Sequence, residues 1–182
     1  LNEQRLIQEN RVLETGFKLN STYNLNEKVN LTAGYELLET GISNLEDINN
    51  PNFRSYVKEV ILNHAIFSSV KYKSANKTST LNLGARLNFF NKNNWIFLEP
   101  RISFNQRFLD FFSFEVLGEY KSQTATQIID FQTDFLGIEK RRWRLANGQD
   151  IPVLQSRQIS SGFNFSRNKW LISFEGYLKE VH

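Results

Sequence analysis

The sequence predicts an all-β protein, an antiparallel transmembrane β-barrel wall. Three observations predict it: strict two-residue alternation, the return of that rhythm in blocks of ten or so residues, and short connections that alternate with longer ones. From Leu81 to Phe89 the alternation has no exception, with Leu81, Leu83, Ala85, Leu87 and Phe89 apolar and Asn82, Gly84, Arg86 and Asn88 polar or small. Such a segment is a strand with one apolar and one wet face. Repeated units of this kind mark a barrel whose apolar side meets lipid.

Eight segments carry the rhythm, at 11–24, 27–39, 58–73, 78–90, 96–107, 111–121, 157–166 and 169–181. Each reaches the roughly 9–11 residues that a tilted strand needs to cross the hydrocarbon core. In the second, Val29, Leu31, Ala33, Tyr35 and Leu37 oppose Asn30, Thr32, Gly34 and Glu36. In the sixth, Phe112, Phe114, Val116 and Tyr120 oppose Ser113, Glu115 and Glu119, and in the eighth, Trp170, Ile172, Phe174, Gly176 and Leu178 oppose Leu171, Ser173, Glu175, Tyr177 and Lys179. A slip of one residue would turn Glu and Arg into lipid, which sets the register. Two segments fit less well: the third carries Ile61, Ala65 and Phe67 on its wet face, and the fifth contains Pro100, which has no N–H for a sheet ladder.

The connections run Leu25–Asn26, Thr40–Lys58, Ser74–Lys77, Asn91–Trp95, Phe108–Asp110, Ser122–Ser156 and Arg167–Asn168. Alternate members are all short, and the two long ones fall in the other set. Outer-membrane barrels have short periplasmic turns and longer extracellular loops, so the parity puts both chain ends on the extracellular side. That phase predicts an interior slice of a larger barrel, in agreement with a start at Leu1 that shows no leader pattern. Tyr23, Tyr72, Phe108, Phe111, Phe165 and Trp170 flank the short turns, and Phe89, Phe90 and Trp95 flank the opposite end, as interfacial girdles do.

Composition narrows the function. No apolar run is long enough for a membrane-spanning helix. The 22 basic and 19 acidic residues are interspersed, without the basic stripe that tracks a phosphate backbone, so nucleic acid is not an expected partner. The absence of Cys removes disulfides, thiolate metal sites and a cysteine nucleophile. With His64 and His182 as the only histidines, neither a catalytic site nor a metal site is expected, and no cofactor. His64 falls on the lipid-side phase, where an interfacial role suits it.

The stretch Leu98-Glu99-Pro100-Arg101-Ile102-Ser103-Phe104-Asn105, the loop from Ile128-Ile129-Asp130-Phe131 through Arg141-Arg142-Trp143-Arg144-Leu145-Ala146-Asn147, and Ile151-Pro152-Val153 leading into Gln158-Ile159-Ser160-Ser161-Gly162-Phe163 resemble the TonB-dependent outer-membrane receptors, of the kind common in Bacteroidetes. Trp170-Leu171-Ile172-Ser173-Phe174-Glu175-Gly176-Tyr177 is similar to the aromatic strand that follows in such receptors. The resemblance spans residues 80–182, and the first half matches in pattern only. It implies a barrel of about 22 strands plugged by a separate domain. It also implies uptake of a nutrient such as a metal chelate or glycan, driven by TonB, in the bacterial outer membrane. Nothing in the chain resembles the plug or the TonB box, so residues 1–182 are expected to be part of the barrel domain, with lipid, lipopolysaccharide, the plug and TonB as partners.

Within that frame Arg86, Glu99, Arg101, Glu115, Glu119 and Glu175 are expected to face the lumen, as salt-bridged ladders that dock the plug. The connection 122–156 exceeds the roughly 12–15 residues above which loops are usually functional or disordered. Its Phe131, Phe135, Arg141, Arg142 and Trp143 combine rings and cations suited to an anionic or sugar-like ligand. The same loop could instead contact lipopolysaccharide or fold into its own small hairpin. Gly41–Arg54 reads as a turn-rich surface segment. Two other architectures stay open: a self-contained eight-stranded barrel of structural or adhesion type, and a soluble β-sandwich or lipocalin-like binding module whose apolar faces seal against each other.

Overall fold

The computed structural model describes residues 5–130 and 140–182. Eight strands form one antiparallel sheet: β1 (Leu6–Asn24), β2 (Val29–Asn49), β3 (Asn52–Lys73), β4 (Ser79–Phe90), β5 (Trp95–Phe108), β6 (Phe112–Gln123), β9 (Leu154–Arg167) and β10 (Trp170–Val181). Each strand pairs with its neighbours in that order. Between β6 and β9 the chain makes a separate two-stranded hairpin from β7 (Ala125–Asp130) and β8 (Lys140–Leu145). Among the described residues no helix is long and apolar enough to cross a membrane.

Residues directly opposite in a ladder share a face, so the register sorts the side chains. Glu36 lies opposite Lys18 and Ala65, Arg86 opposite Phe67 and Glu99, and Arg101 opposite Gly84 and Glu119. These residues form the inner face, since Lys18 of β1 and Glu175 of β10, at the two edges of the sheet, line one hollow. The sheet is therefore curled. Its other face carries the predicted apolar rows, and they are open to the outside: Ile66 is 64% exposed, Leu98 58% and Phe174 76%. Apolar rows left exposed are what a lipid-facing wall needs and what a sandwich core forbids. Among the described residues β1 and β10 do not pair with each other, so the eight strands form an open sheet and not a closed small barrel.

All eight predicted strands are present, and the turns fall at 25–28, 74–78, 91–94, 109–111 and 168–169. Two positions at the 91–94 turn, Asn93 and Asn94, adopt positive φ (66° and 51°), which Asn tolerates. The predicted loop Thr40–Lys58 does not exist as a loop. β2 and β3 continue in register to Asn49 and Asn52, and the whole turn-rich reading of Gly41–Arg54 gives way to a long hairpin. The reason is that here the outward pairs Ser43–Lys58 and Asp47–Arg54 are polar while inward Ile42 is buried, so a search for an apolar outer face misses strand.

Pro100 is tolerated for a local reason. Its strand β5 pairs with β4 along its whole length, but pairing with β6 begins only at Arg101 opposite Glu119. The residue without an N–H sits where the ladder ends. Above it the Glu99 carboxylate accepts hydrogen bonds from the Ser122 backbone N–H (2.9 Å) and hydroxyl (2.6 Å). A side chain thus replaces the missing strand contact.

Candidate functional site on the inner face

The inner face carries two tiers of polar chemistry. In the lower tier Glu36 accepts a hydrogen bond from Arg86 (3.0 Å) and lies 3.4 Å from Lys18, while Arg86 Nε also donates to Asn88 Oδ1 (2.9 Å). Asn63 donates to the same Asn88 oxygen (3.0 Å), so five side chains from β1 to β4 form one network. Lys18 additionally stands 5.0 Å from the Phe67 ring centre. This arrangement depends on Gly34, whose missing side chain makes room: a Cβ there would come 2.4 Å from the Leu19 carbonyl and from the Phe67 ring.

All six residues expected on the lumen side, Arg86, Glu99, Arg101, Glu115, Glu119 and Glu175, occupy this one face. They do not form one continuous ladder. Glu99 is 5% exposed, is held by Ser122 and lies 3.6 Å from Arg101, and Glu119 pairs with Lys121 (2.8 Å). Glu115 and Glu175 both lie opposite Gly162, on either side of β9. Among the described residues neither makes an ion pair. A hollow of about 450 Å³ lies between these groups, floored by small residues including Ser69, Gly84 and Ser160.

The upper tier is built by the hairpin. Leu145 of β8 packs with Ile42, Ile61 and Phe90 of the wall, and Trp95, Phe97, Ala125 and Trp143 close around this cluster. Phe90 and Trp95 therefore turn inward to a small core and do not join an outer girdle; Phe89, 40% exposed, stays outside. At the opposite end Phe111, Phe112 and Phe165 form a ring cluster, with ring centres 5.0 to 5.9 Å apart. His64 keeps the outer phase and its Nδ1 lies 2.7 Å from the Tyr35 hydroxyl.

Of the five loop residues expected to meet a ligand, Arg141, Arg142 and Trp143 lie on β8, and Phe131 and Phe135 lie outside the described residues. The three on β8 hold the hairpin to the wall. Arg142 pairs with Glu46 (2.7 Å), the Arg141 carbonyl accepts from Asn10 (2.7 Å), and the Asn44 amide bridges both the N–H and the C=O of Trp143 (2.9 Å each). Sequence reading missed Asn10, Asn44 and Glu46. The signal was present: Ile42, Asn44 and Glu46 continue the even-numbered inward phase of Glu36 without a break.

No protein-family model matches the chain and no curated protein does. Among solved structures it is similar to a chain of the RagAB peptide transporter, at 12% identity and a TM-score of 0.61, over 98% of this chain and 24% of that one. The RagAB peptide importer in its "closed-closed" state matches with the same figures. At this identity the likeness is one of fold: an eight-stranded curled antiparallel sheet of barrel type that spans about a quarter of the length of the matched chain.

Proposed function

We propose that the chain is part of the barrel wall of a TonB-dependent outer-membrane receptor that takes up a nutrient. The observation that carries this reading is the division of one curled sheet into an exposed apolar outer face and a charged inner face. Such a sheet is stable only where its outside meets lipid and its inside meets water or polar protein. The fold likeness to a peptide transporter supports the transport class, and makes a small peptide the first cargo to test beside metal chelates and glycans. On this reading Arg86, Glu99, Arg101, Glu115, Glu119 and Glu175 face the bore and its plug. Phe131, Phe135, Arg141, Arg142 and Trp143 belong to the loop nearest the ligand. The outer rows contact lipid and, at the hairpin end, lipopolysaccharide. The role is binding and passage, not catalysis, and requires no cofactor.

The test is uptake by cells that carry the full-length gene, its deletion, or the gene with TonB inactivated. Labelled peptides, glycans and metal chelates are offered in turn. One cargo is expected to accumulate only with the intact gene and active TonB, and the protein to fractionate with outer membranes. Recovery in the soluble fraction sinks the membrane reading, and accumulation that is indifferent to TonB sinks the energised one.

A further inference from the structure

Four short turns close the sheet at the end away from the hairpin, at 25–28, 74–78, 109–111 and 168–169, and their charge is one-sided. Lys28, Lys77 and Lys169 stand in three of these turns, Arg107 and Arg167 at the strand ends beside them, and Lys71 and Lys73 just before the second turn; Glu27 and Asp110 are the only acids against them. The excess of basic over acidic residues in the whole chain, 22 against 19, therefore arises at this rim. All of these cations are exposed, and among the described residues none makes an ion pair.

Hydrogen bonds hold the like charges together. The Lys73 N–H donates to the Lys28 carbonyl (2.7 Å), the Arg107 N–H to the Thr78 carbonyl (2.8 Å) and the Arg107 guanidinium to the Lys77 carbonyl (3.0 Å), so the cations from β2 to β5 form one patch. Arg167, whose guanidinium lies 5.1 Å from the Phe111 ring centre, carries the rim on to the last turn. Cations gathered without acids repel one another, and an anionic partner removes that cost. What else the turns carry decides which anion it is. Leu25 (57% exposed) and Leu109 (73% exposed) project from the turns, and Tyr23, Tyr72, Phe108 and Trp170 stand exposed in the outer phase beside them. An acidic protein segment matches the cations only, whereas a headgroup layer offers phosphate and an apolar boundary at the same depth.

We propose that the short-turn rim is a collar for anionic phospholipid headgroups, in which Lys28, Lys77, Arg167 and Lys169 take phosphates by charge-assisted hydrogen bonds while Leu25 and Leu109 enter the interface between them. Successive turns are two strands, about 10 Å, apart, so each base meets a phosphate of its own. Lys71 and Lys73, in the inner phase, raise the potential of the rim without touching lipid, and Arg107 is a positioning residue that holds the Lys77 turn. The inference deepens the barrel reading and rests on it for the outer rows lying in a bilayer.

Lipid quenching tests it. The full-length receptor, freed of any cysteine elsewhere, carries a fluorophore on Ala75→Cys, an exposed position of the 74–78 turn. It is placed in vesicles of equal phosphatidylglycerol and phosphatidylcholine with a quencher on one lipid or the other, and the ratio of the two quenching strengths reads the local preference for the anionic lipid. A cation at an anionic surface is worth about five-fold, so a ratio of about five or more is expected. Lys28→Gln combined with Lys77→Gln is expected to bring the ratio within about two-fold of one. Raising the salt to about 1 M should do the same to the unaltered receptor by screening, a check that needs no variant to assemble. Arg54→Gln combined with Lys58→Gln, at the far end of β3, should leave the ratio unchanged. A ratio near one in the unaltered receptor, a ratio that ignores salt, or equal losses from the two variant pairs overturns the collar. If polyglutamate binding, and not the lipid ratio, separates the unaltered receptor from the Lys28 and Lys77 variant, the partner is an acidic protein segment and the collar falls. A second fluorophore on Leu98→Cys, in the exposed outer row, keeps the two readings apart. Quenching at Leu98→Cys with a ratio of one at Ala75→Cys leaves the barrel reading standing and sinks the collar alone, whereas no quenching at Leu98→Cys by either lipid sinks the barrel reading and the collar with it.

Discussion

The two ends of this wall differ in what their inner faces hold. In the band around Leu83 and Leu98 the apolar rows point outward and stand exposed, while the inner face holds Glu36, Arg86 and Arg101. Beside the hairpin the inner face becomes apolar as well: Ile42, Ile61, Phe90 and Leu145 are buried inside, while the outer face mixes exposed Leu13, Val60 and Phe89 with polar pairs such as Ser43–Lys58. One continuous pair of strands, β2 with β3, makes this change without a break in register. The strand is indifferent to whether its inner side is oily or charged, and what covers that side decides: an open charged hollow in one zone, a folded-in hairpin in the other.

The sharpest way to break the comparison uses two adjacent residues. Phe90→Ala removes a buried ring from the inner cluster and is expected to cost about 3–5 kcal/mol, read as loss of hairpin docking or of folded yield. Phe89→Ala, next in the chain on the outer face, is expected to cost far less in detergent, which covers its exposed side, with the His64 ring as its tilted neighbour. Equal costs would mean that the two faces are not distinct at this height.

Lower down the asymmetry runs the other way. Leu83→Arg puts a charge on the outer face and is expected to cost about 2–4 kcal/mol in a bilayer, seen as loss of the folded, heat-modifiable band on assembly into lipid vesicles. Asn82→Arg, one residue along and facing in, should assemble normally. If both assemble equally well the band is not in lipid.

Glu99→Ala tests the seam where the ladder ends. It strips the Ser122 N–H and hydroxyl of their acceptor, and a buried unpaired donor costs about 1–3 kcal/mol. Amide exchange at Ser122 is expected to quicken while that of Glu119, still paired with Arg101, does not. Unchanged exchange at Ser122 would mean that the carboxylate does not hold the seam.

How much was legible in the chain follows the same division. The alternation from Leu81 to Phe89 reads directly as strand because an apolar face and a polar face impose a period of two on hydrophobicity. The same physics placed Arg86, Glu99, Arg101, Glu115, Glu119 and Glu175 in one phase, and the register agrees. It failed for Gly41–Arg54, where both environments are polar or shielded and alternation survives only in which residues are buried. Inward Phe90 and Trp95 were unreadable for a related reason: their core exists only because a segment more than 45 residues away folds back, and no local pattern encodes that. The partners of the hairpin, Asn10, Asn44 and Glu46, are polar residues in an inward phase, visible as a phase but silent about what they hold.

The smallest expected effect lies in the charged network of the lower tier. Glu36 and Arg86 are each 18% exposed in their side chains and meet at 3.0 Å, while Lys18, 56% exposed, approaches Glu36 from the edge strand. Pairs with one solvated partner are worth about 0–1 kcal/mol, and a more enclosed pair gains attraction only against the desolvation of both ions. Lys18→Ala is therefore expected to change stability by less than about 1 kcal/mol. Arg86→Ala should cost more than Lys18→Ala, because it takes from Glu36 its nearest cation and also takes the Nε donor from Asn88. A double-mutant cycle on Glu36 and Arg86 separates the pair from that loss. A coupling near zero, with Arg86→Ala still costly, would assign the cost to Asn88 and to the floor of the cavity beneath the hairpin, and would join the two tiers energetically where they differ most in chemistry.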